Sequence, residues 1–144
     1  MTRLMAVAVL VLGLAPALAG DAAELAKFNG TWVGVSAVED GKEVPKAAAE
    51  AIRLTVTGEK YTFTTGKTEA EGAHRLDPTK TPKQIDAVRT KGPHAGEKML
   101  GIYELTDDTF KVCFAAPGKP DRPTEFKSAA GSGHRLMVLK KEKR

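Results

Sequence analysis

The sequence predicts an all-β domain, an antiparallel up-and-down barrel of roughly eight strands with a short N-terminal helix and a short helix between the first two strands. Three observations point there. From Arg53 onward the chain is built of short runs in which apolar and polar residues alternate, as strands with one dry face require. Gly, Pro and Asp-Gly turn signals separate those runs at hairpin spacing. Only two stretches carry helical composition, and both are brief.

Asp21 to Phe28 reads as the first helix, with Asp21 able to cap its first turn, Glu24 three residues on, and Leu25 and Phe28 on one face. Asn29-Gly30 ends it, and Thr31 to Val38 has strand composition. Asp40-Gly41 is a tight-turn signal, and Pro45 to Ile52 is the second helical stretch, with Pro45 near its first turn. Leu54 to Thr57 and Tyr61 to Thr64 form an alternating pair across Gly58-Glu59-Lys60. Thr68 to Leu76 is a more polar strand broken by Gly72, and Asp77 to Pro82 is a loop. Lys83 to Thr90 and Met99 to Leu105 follow as strands, joined by a Gly/Pro connection. Thr109 to Phe114 is the clearest alternation, with Phe110, Val112 and Phe114 on one side and Lys111 and Cys113 on the other. The proline-rich loop from Ala115 to Pro123 and a Gly131-Ser132-Gly133 turn lead to a last strand, His134 to Lys140.

Ahead of these elements, Met1-Thr2-Arg3, an apolar run from Leu4 to Ala15 and the Ala17-Leu18-Ala19 site form the three parts of a secretory signal. Residues 1–19 are expected to be removed, leaving 20–144 as one domain in the periplasm or outside the cell. A bilayer span needs about 20 apolar residues, and charge begins at Asp21, so no stable membrane span is expected after cleavage. The formal net charge of +4 is scattered, apart from the basic end at Lys140 to Arg144, and no aromatic-interleaved basic stripe is present. Nucleic acid is therefore not expected as a partner. Cys113 is the single cysteine, so no internal disulfide can form and stability must come from packing.

Gly30-Thr31-Trp32 on the first strand, behind a short helix, resembles the opening of lipocalin-type barrels. The resemblance extends through Asp40 to Pro45, Leu76-Asp77-Pro78, Pro82 to Asp86, Gly101 to Glu104 and Val112 to Ala115. It continues through Pro117 to Pro120, Arg122 to Phe126 and Gly131 to Gly133. In order, these segments are similar to an uncharacterised lipocalin-like domain family abundant in planctomycete-type bacteria, with Asp121 as a loop insertion. The resemblance implies a barrel with structural positions at Gly30, Trp32, Gly101 and Phe126, the helix closing one end and the tryptophan packed across it. It implies no established activity.

Four residues are candidates for contact with a ligand: Lys83, Tyr103, Cys113 and Arg122. Lys83 and Tyr103 lie on strands, where a lumen would use a few polar groups to orient its ligand. Lys83 and Asp86 are three apart and so face opposite sides of a regular strand. Cys113 is either a nucleophile needing a base within reach or a packed thiol, turned into the lumen or outward. Arg122, in a loop stiffened by prolines, would meet an anionic head group at the mouth or pin the loop through an internal ion pair. His74, His94 and His134 lack metal-site spacing, so no metal or cofactor is expected.

The expected function is non-enzymatic binding of a small apolar or amphipathic ligand, with the second helix and the Ala115 to Pro123 loop gating the lumen. The alternatives are an extracytoplasmic interaction or scaffold module with a filled barrel, its protein partner unspecified, and a small barrel enzyme with His, Lys, Tyr or Arg clustered inside.

Overall fold

The computed structural model describes residues 22–143; the expected signal segment and the expected Asp21 cap lie outside them. Helix α1 (22–28) precedes β1 (Gly30–Glu39), the two-residue β2 (Lys42–Glu43) and helix α2 (Lys46–Glu50). Then come β3 (Ile52–Thr57), β4 (Lys60–Thr65), β5 (Glu69–Asp77), β6 (Lys83–Lys91), β7 (Lys98–Leu105), β8 (Thr109–Phe114) and β9 (Arg135–Lys141). Each long strand pairs antiparallel with its neighbours, and β1 pairs with β9. The eight long strands thus form a closed antiparallel barrel, consistent with a lipocalin-like all-β fold. Closure removes the exposed edges that an open sheet would present.

The alternation seen in the sequence becomes the inside and outside of the wall. Ile52, Leu54 and Val56 on β3 are buried while Arg53, Thr55 and Thr57 are exposed. The Asp40-Gly41 signal makes the predicted tight turn, with both residues at positive φ (49° and 82°), and β2 folds back on the end of β1. Two elements depart from expectation. A bulge between Gly34 and Ser36 switches the face of β1, so Trp32 and Gly34 point inward before it and Ala37 after it. The second helix is shorter than Pro45 to Ile52: Pro45 precedes its first turn, and Ile52 is the first inward residue of β3. This helix packs against β1, where a Cβ on Gly34 would lie 2.0 Å from the Ala49 carbonyl oxygen.

The lower end of the barrel is solid. Helix α1 crosses it, and Phe28, Trp32, Tyr103 and Phe110, all 2% exposed or less, fill the space beneath. The Phe28 and Phe110 rings are 4.5 Å apart, and each lies 6.0 Å from Trp32. The indole Nε1 donates to the Phe28 carbonyl at 2.9 Å. Glu24 does not turn back to cap its helix: it is 6% exposed and accepts from the Tyr103 hydroxyl at 2.7 Å and the Lys83 ammonium at 3.1 Å. The helix lies flat on the barrel end, so Glu24 and Phe28, one turn apart, share its inner face. Gly30 follows at φ 132°, and a Cβ there would sit 2.8 Å from Lys141 Cε.

Truncating Trp32 removes both the filling and the hydrogen bond of this plug. Trp32→Ala is expected to cost about 3–5 kcal/mol, and Trp32→Phe, which keeps an aromatic ring but loses the bond to Phe28, about 1–2 kcal/mol. Urea denaturation followed by circular dichroism checks both.

Candidate ligand cavity

The upper half of the barrel is hollow because small side chains replace large ones there. Ala70, Ala87, Ala115, Ala116 and Gly133 line a cavity of about 440 Å³. Apolar side chains, among them Leu54, Phe63, Ile85, Met99, Val112 and Met137, make most of the remaining wall. Pro93, His94, Pro117 and His134 stand around its mouth, and Phe28 and Phe110 are its floor.

Glu39, Asp40, His134 and Arg135 line the cavity near its mouth, and a second set of polar groups, Tyr61, His74 and Arg89, enters from β4–β6. Tyr61 on β4 is paired with Gly72 on β5, and Gly72 with Arg89 on β6, so three neighbouring strands present a row across the wall. The middle position has no side chain, and a Cβ there would lie 2.5 Å from the Tyr61 hydroxyl oxygen. Gly72 also follows a bulge after Glu71, which sets the register of the row. The result is that Tyr61 and Arg89 lean toward each other over a bare stretch of backbone. His74, two residues further along β5, faces inward below them, its ring 6.0 Å from Tyr61 and 5.2 Å from Phe28.

Tyr61 is 8% exposed and His74 5%. The Tyr61 hydroxyl, His74 Nε2 and Arg89 Nε are buried without a hydrogen-bond partner. Burial raises the Tyr61 pKa, and the neighbouring Arg89 guanidinium pulls it partway back. Burial lowers the His74 pKa below 6.5, opposed more weakly by the Gly58 backbone and the Glu59 carboxylate. Arg89 is anchored at its other end, where Nη1 donates to the Pro93 carbonyl at 3.0 Å, and its guanidinium carbon lies 5.9 Å from the centre of the Phe63 ring. Buried polar atoms are ordinarily satisfied; here three in one mainly apolar cavity have no protein partner.

The four residues singled out from sequence lie elsewhere; none lines the cavity. Lys83 and Tyr103 are on the inner face but beneath its floor, bound to Glu24. Arg122 is outside the barrel, pinning the loop over β6 and β7: Nη2 meets Asp86 at 2.7 Å, and Nη1 donates to the carbonyls of Gly101 and Ile85 at 2.8 and 3.1 Å. Asp86 and Lys83 are on opposite faces, as their spacing requires. Cys113 also points outward, yet it is fully buried under the loop, its thiol 3.4 Å from the Lys127 carbonyl. Burial pushes its pKa up, against a smaller lowering from the Lys127 backbone. Of the expected structural positions, Gly101 admits the Phe114 ring, which would lie 2.7 Å from a Cβ, and Phe126 lies outside with Lys111 Nζ 4.5 Å from its ring centre. Ala115, Ala116 and Pro117 of the expected gating loop reach the mouth, whereas no residue of α2 lines the cavity.

Among the described residues no cluster of three His, Cys, Asp or Glu side chains has metal-site geometry, and no helix is long and apolar enough to cross a membrane. Comparison with protein-family models, curated proteins and solved structures finds no match to this chain. The reading of the site rests on its geometry.

A folded-state pKa below the unfolded one makes His74 a source of acid sensitivity. The unfolded chain takes up a proton near pH 6.5 while the buried ring, packed against Phe28 and Tyr61, resists it. Stability should be full above that pH and fall as pH drops through it, by up to about 1.4 kcal/mol per pH unit, levelling off below the lowered folded pKa. His74→Phe should flatten this part of the profile, measured as urea midpoints between pH 7.5 and pH 5.

Proposed function

We propose that this protein is an exported, lipocalin-like carrier that holds a small apolar or amphipathic molecule in its lumen without transforming it. The observation that carries the reading is the cavity itself, about 440 Å³ and mainly apolar, with three buried polar atoms that lack protein partners. Small-molecule sites combine an apolar lining with a few placed polar groups, and this one has both. A hollow of that size weighs against the filled-barrel scaffold. The signal-like segment at residues 1–19 supports export.

A second reading has its own support. His74, Tyr61 and Arg89 together are the kind of lumenal cluster a small barrel lyase or isomerase would need, with a neutral imidazole beside a protonated phenol. Recovery of the bound molecule separates the two.

Native mass spectrometry of the protein purified from its own host, followed by extraction, is expected to give a reproducible lipid or metabolite, recovered unchanged after prolonged incubation. Ala87 is 3% exposed and lines the cavity, so Ala87→Phe should fill the lumen and abolish retention while leaving the circular dichroism spectrum intact. An empty monomer in both proteins overturns the carrier, and a molecule converted during incubation assigns the enzyme.

A further inference from the structure

Among the described lysines and arginines on the inner face of the barrel, Lys83 and Arg135 are paired with carboxylates and Lys141 lies 5.5 Å from the centre of the Trp32 ring. Lys83 under the floor is matched by Glu24, and at the mouth Arg135 is matched by Glu39 at 2.7 Å. The outward Arg122 has Asp86. Arg89 alone among the cavity-lining cations has no carboxylate within 4.0 Å among the described residues, although its Nε is buried. His94, also at the mouth, has Glu97 at 3.3 Å. A guanidinium remains charged at any physiological pH, and this one stands half-buried beside the lumen without a counter-ion.

Next to it stands a hydroxyl in the same condition. Tyr61 Oη is buried, unpartnered and brought toward Arg89 by the missing side chain at Gly72. An arginine N–H and a phenolic O–H presented side by side are two donors for one oxyanion. Facing them, Val112 on β8 and Met137 and Leu139 on β9 offer only hydrocarbon. Below the Arg135–Glu39 pair at the mouth, the lumen therefore has a donor pair on β4–β6 and hydrocarbon from Val112, Met137 and Leu139 on β8–β9.

Building on the carrier reading, we propose that the occupant is an amphiphile with a monoanionic head of the carboxylate type, held by Arg89 and Tyr61, its hydrocarbon portion lying against β8 and β9. One cation matches one negative charge; a dianionic phosphate head would leave charge unmatched in an apolar cavity. His74 lies deeper and is not part of the anion seat.

Isothermal titration of the protein with dodecanoate, dodecanol, dodecylamine and dodecyl phosphate tests this. Dodecanoate is expected to bind at least tenfold more tightly than dodecanol, with dodecylamine the weakest. In Arg89→Met the ratio of dodecanoate to dodecanol affinity should fall by roughly tenfold, the scale of a lost charged hydrogen bond. In Tyr61→Phe it should fall by roughly threefold, as for a neutral donor. Because Arg89 also holds the Pro93 carbonyl, Arg89→Lys provides a variant that keeps the charge, and it should retain part of the preference. Equal binding of dodecanoate and dodecanol by the wild type, or a preference that survives Arg89→Met, overturns the anionic head but leaves the carrier standing. Tighter binding of dodecyl phosphate than of dodecanoate overturns the monoanion. Failure of every one of the four to bind the folded protein overturns the carrier reading as well.

Discussion

The hydrogen bond from the Trp32 indole to the Phe28 carbonyl ties the first strand of the barrel to the helix that closes it. An eight-stranded barrel has an interior just wide enough to be filled by side chains or to hold one small molecule. Which of the two occurs at a given height depends on the size of the inward residues. At the level of Trp32 those residues are aromatic, and α1 adds Phe28 from above the barrel end, so no space remains. Past Phe110 small residues such as Ala70 and Ala87 join the inward set and the lumen opens. The plug thus places the cavity as well as stabilising the fold, since its upper surface is the cavity floor. Glu24, clasped by Tyr103 and Lys83, fixes the helix against rotation in the same contact region.

The cavity owes its polar character to register. Strand pairing brings Tyr61, Gly72 and Arg89 onto one rung, and the absent side chain at Gly72 lets the outer two approach. Some charged residues of the wall meet opposite charges, as Asp86 and Arg122 do on the outer face. Solvent screens most such pairs, and their contribution is modest. Inside, screening is weak and unpartnered groups are costly, so the same residue types carry far more consequence at Arg89 than at Arg53 or Lys91 on the surface.

Much of the fold was legible in the sequence, because period-two alternation and turn residues are local signals. The strands from Leu54 onward, the Asp40-Gly41 turn and the opposite faces of Lys83 and Asp86 all follow from neighbours in the chain. The β1 bulge does not, since nothing in Gly34-Val35-Ser36 distinguishes a face switch from a continuous strand. Nor does the orientation of Glu24: its spacing from Asp21 suits a cap equally well, and only the docking of α1 over Tyr103 decides between the two. The site was less legible still. Tyr61 and Arg89 are 28 positions apart and meet only through a third strand that bears glycine at the crossing. The break at Gly72 was visible in the polar strand Thr68 to Leu76, and it is the signal that could have found the site, because a glycine inside a strand often marks a close approach.

Arg122 links the mouth of the cavity to the outer wall. The chain from Ala115 to Gly133 starts and finishes at the mouth, and between those points it crosses the outside of the sheet. Arg122 bridges the carbonyls of two adjacent strands and the carboxylate of a third residue, which is a firm anchor for a segment without regular structure. Its anchoring also buries Cys113 against the Lys127 carbonyl, so the single thiol sits sealed between strand and loop with its proton favoured. The position of Ala115, Ala116 and Pro117 at the opening is thereby coupled to contacts on the opposite face of the wall. The loop is thus anchored on the outer wall, and on the other side of the mouth the turn at 92–97 is tethered by the Arg89 guanidinium through Pro93. The group that faces the lumen is then also the group that positions the rim.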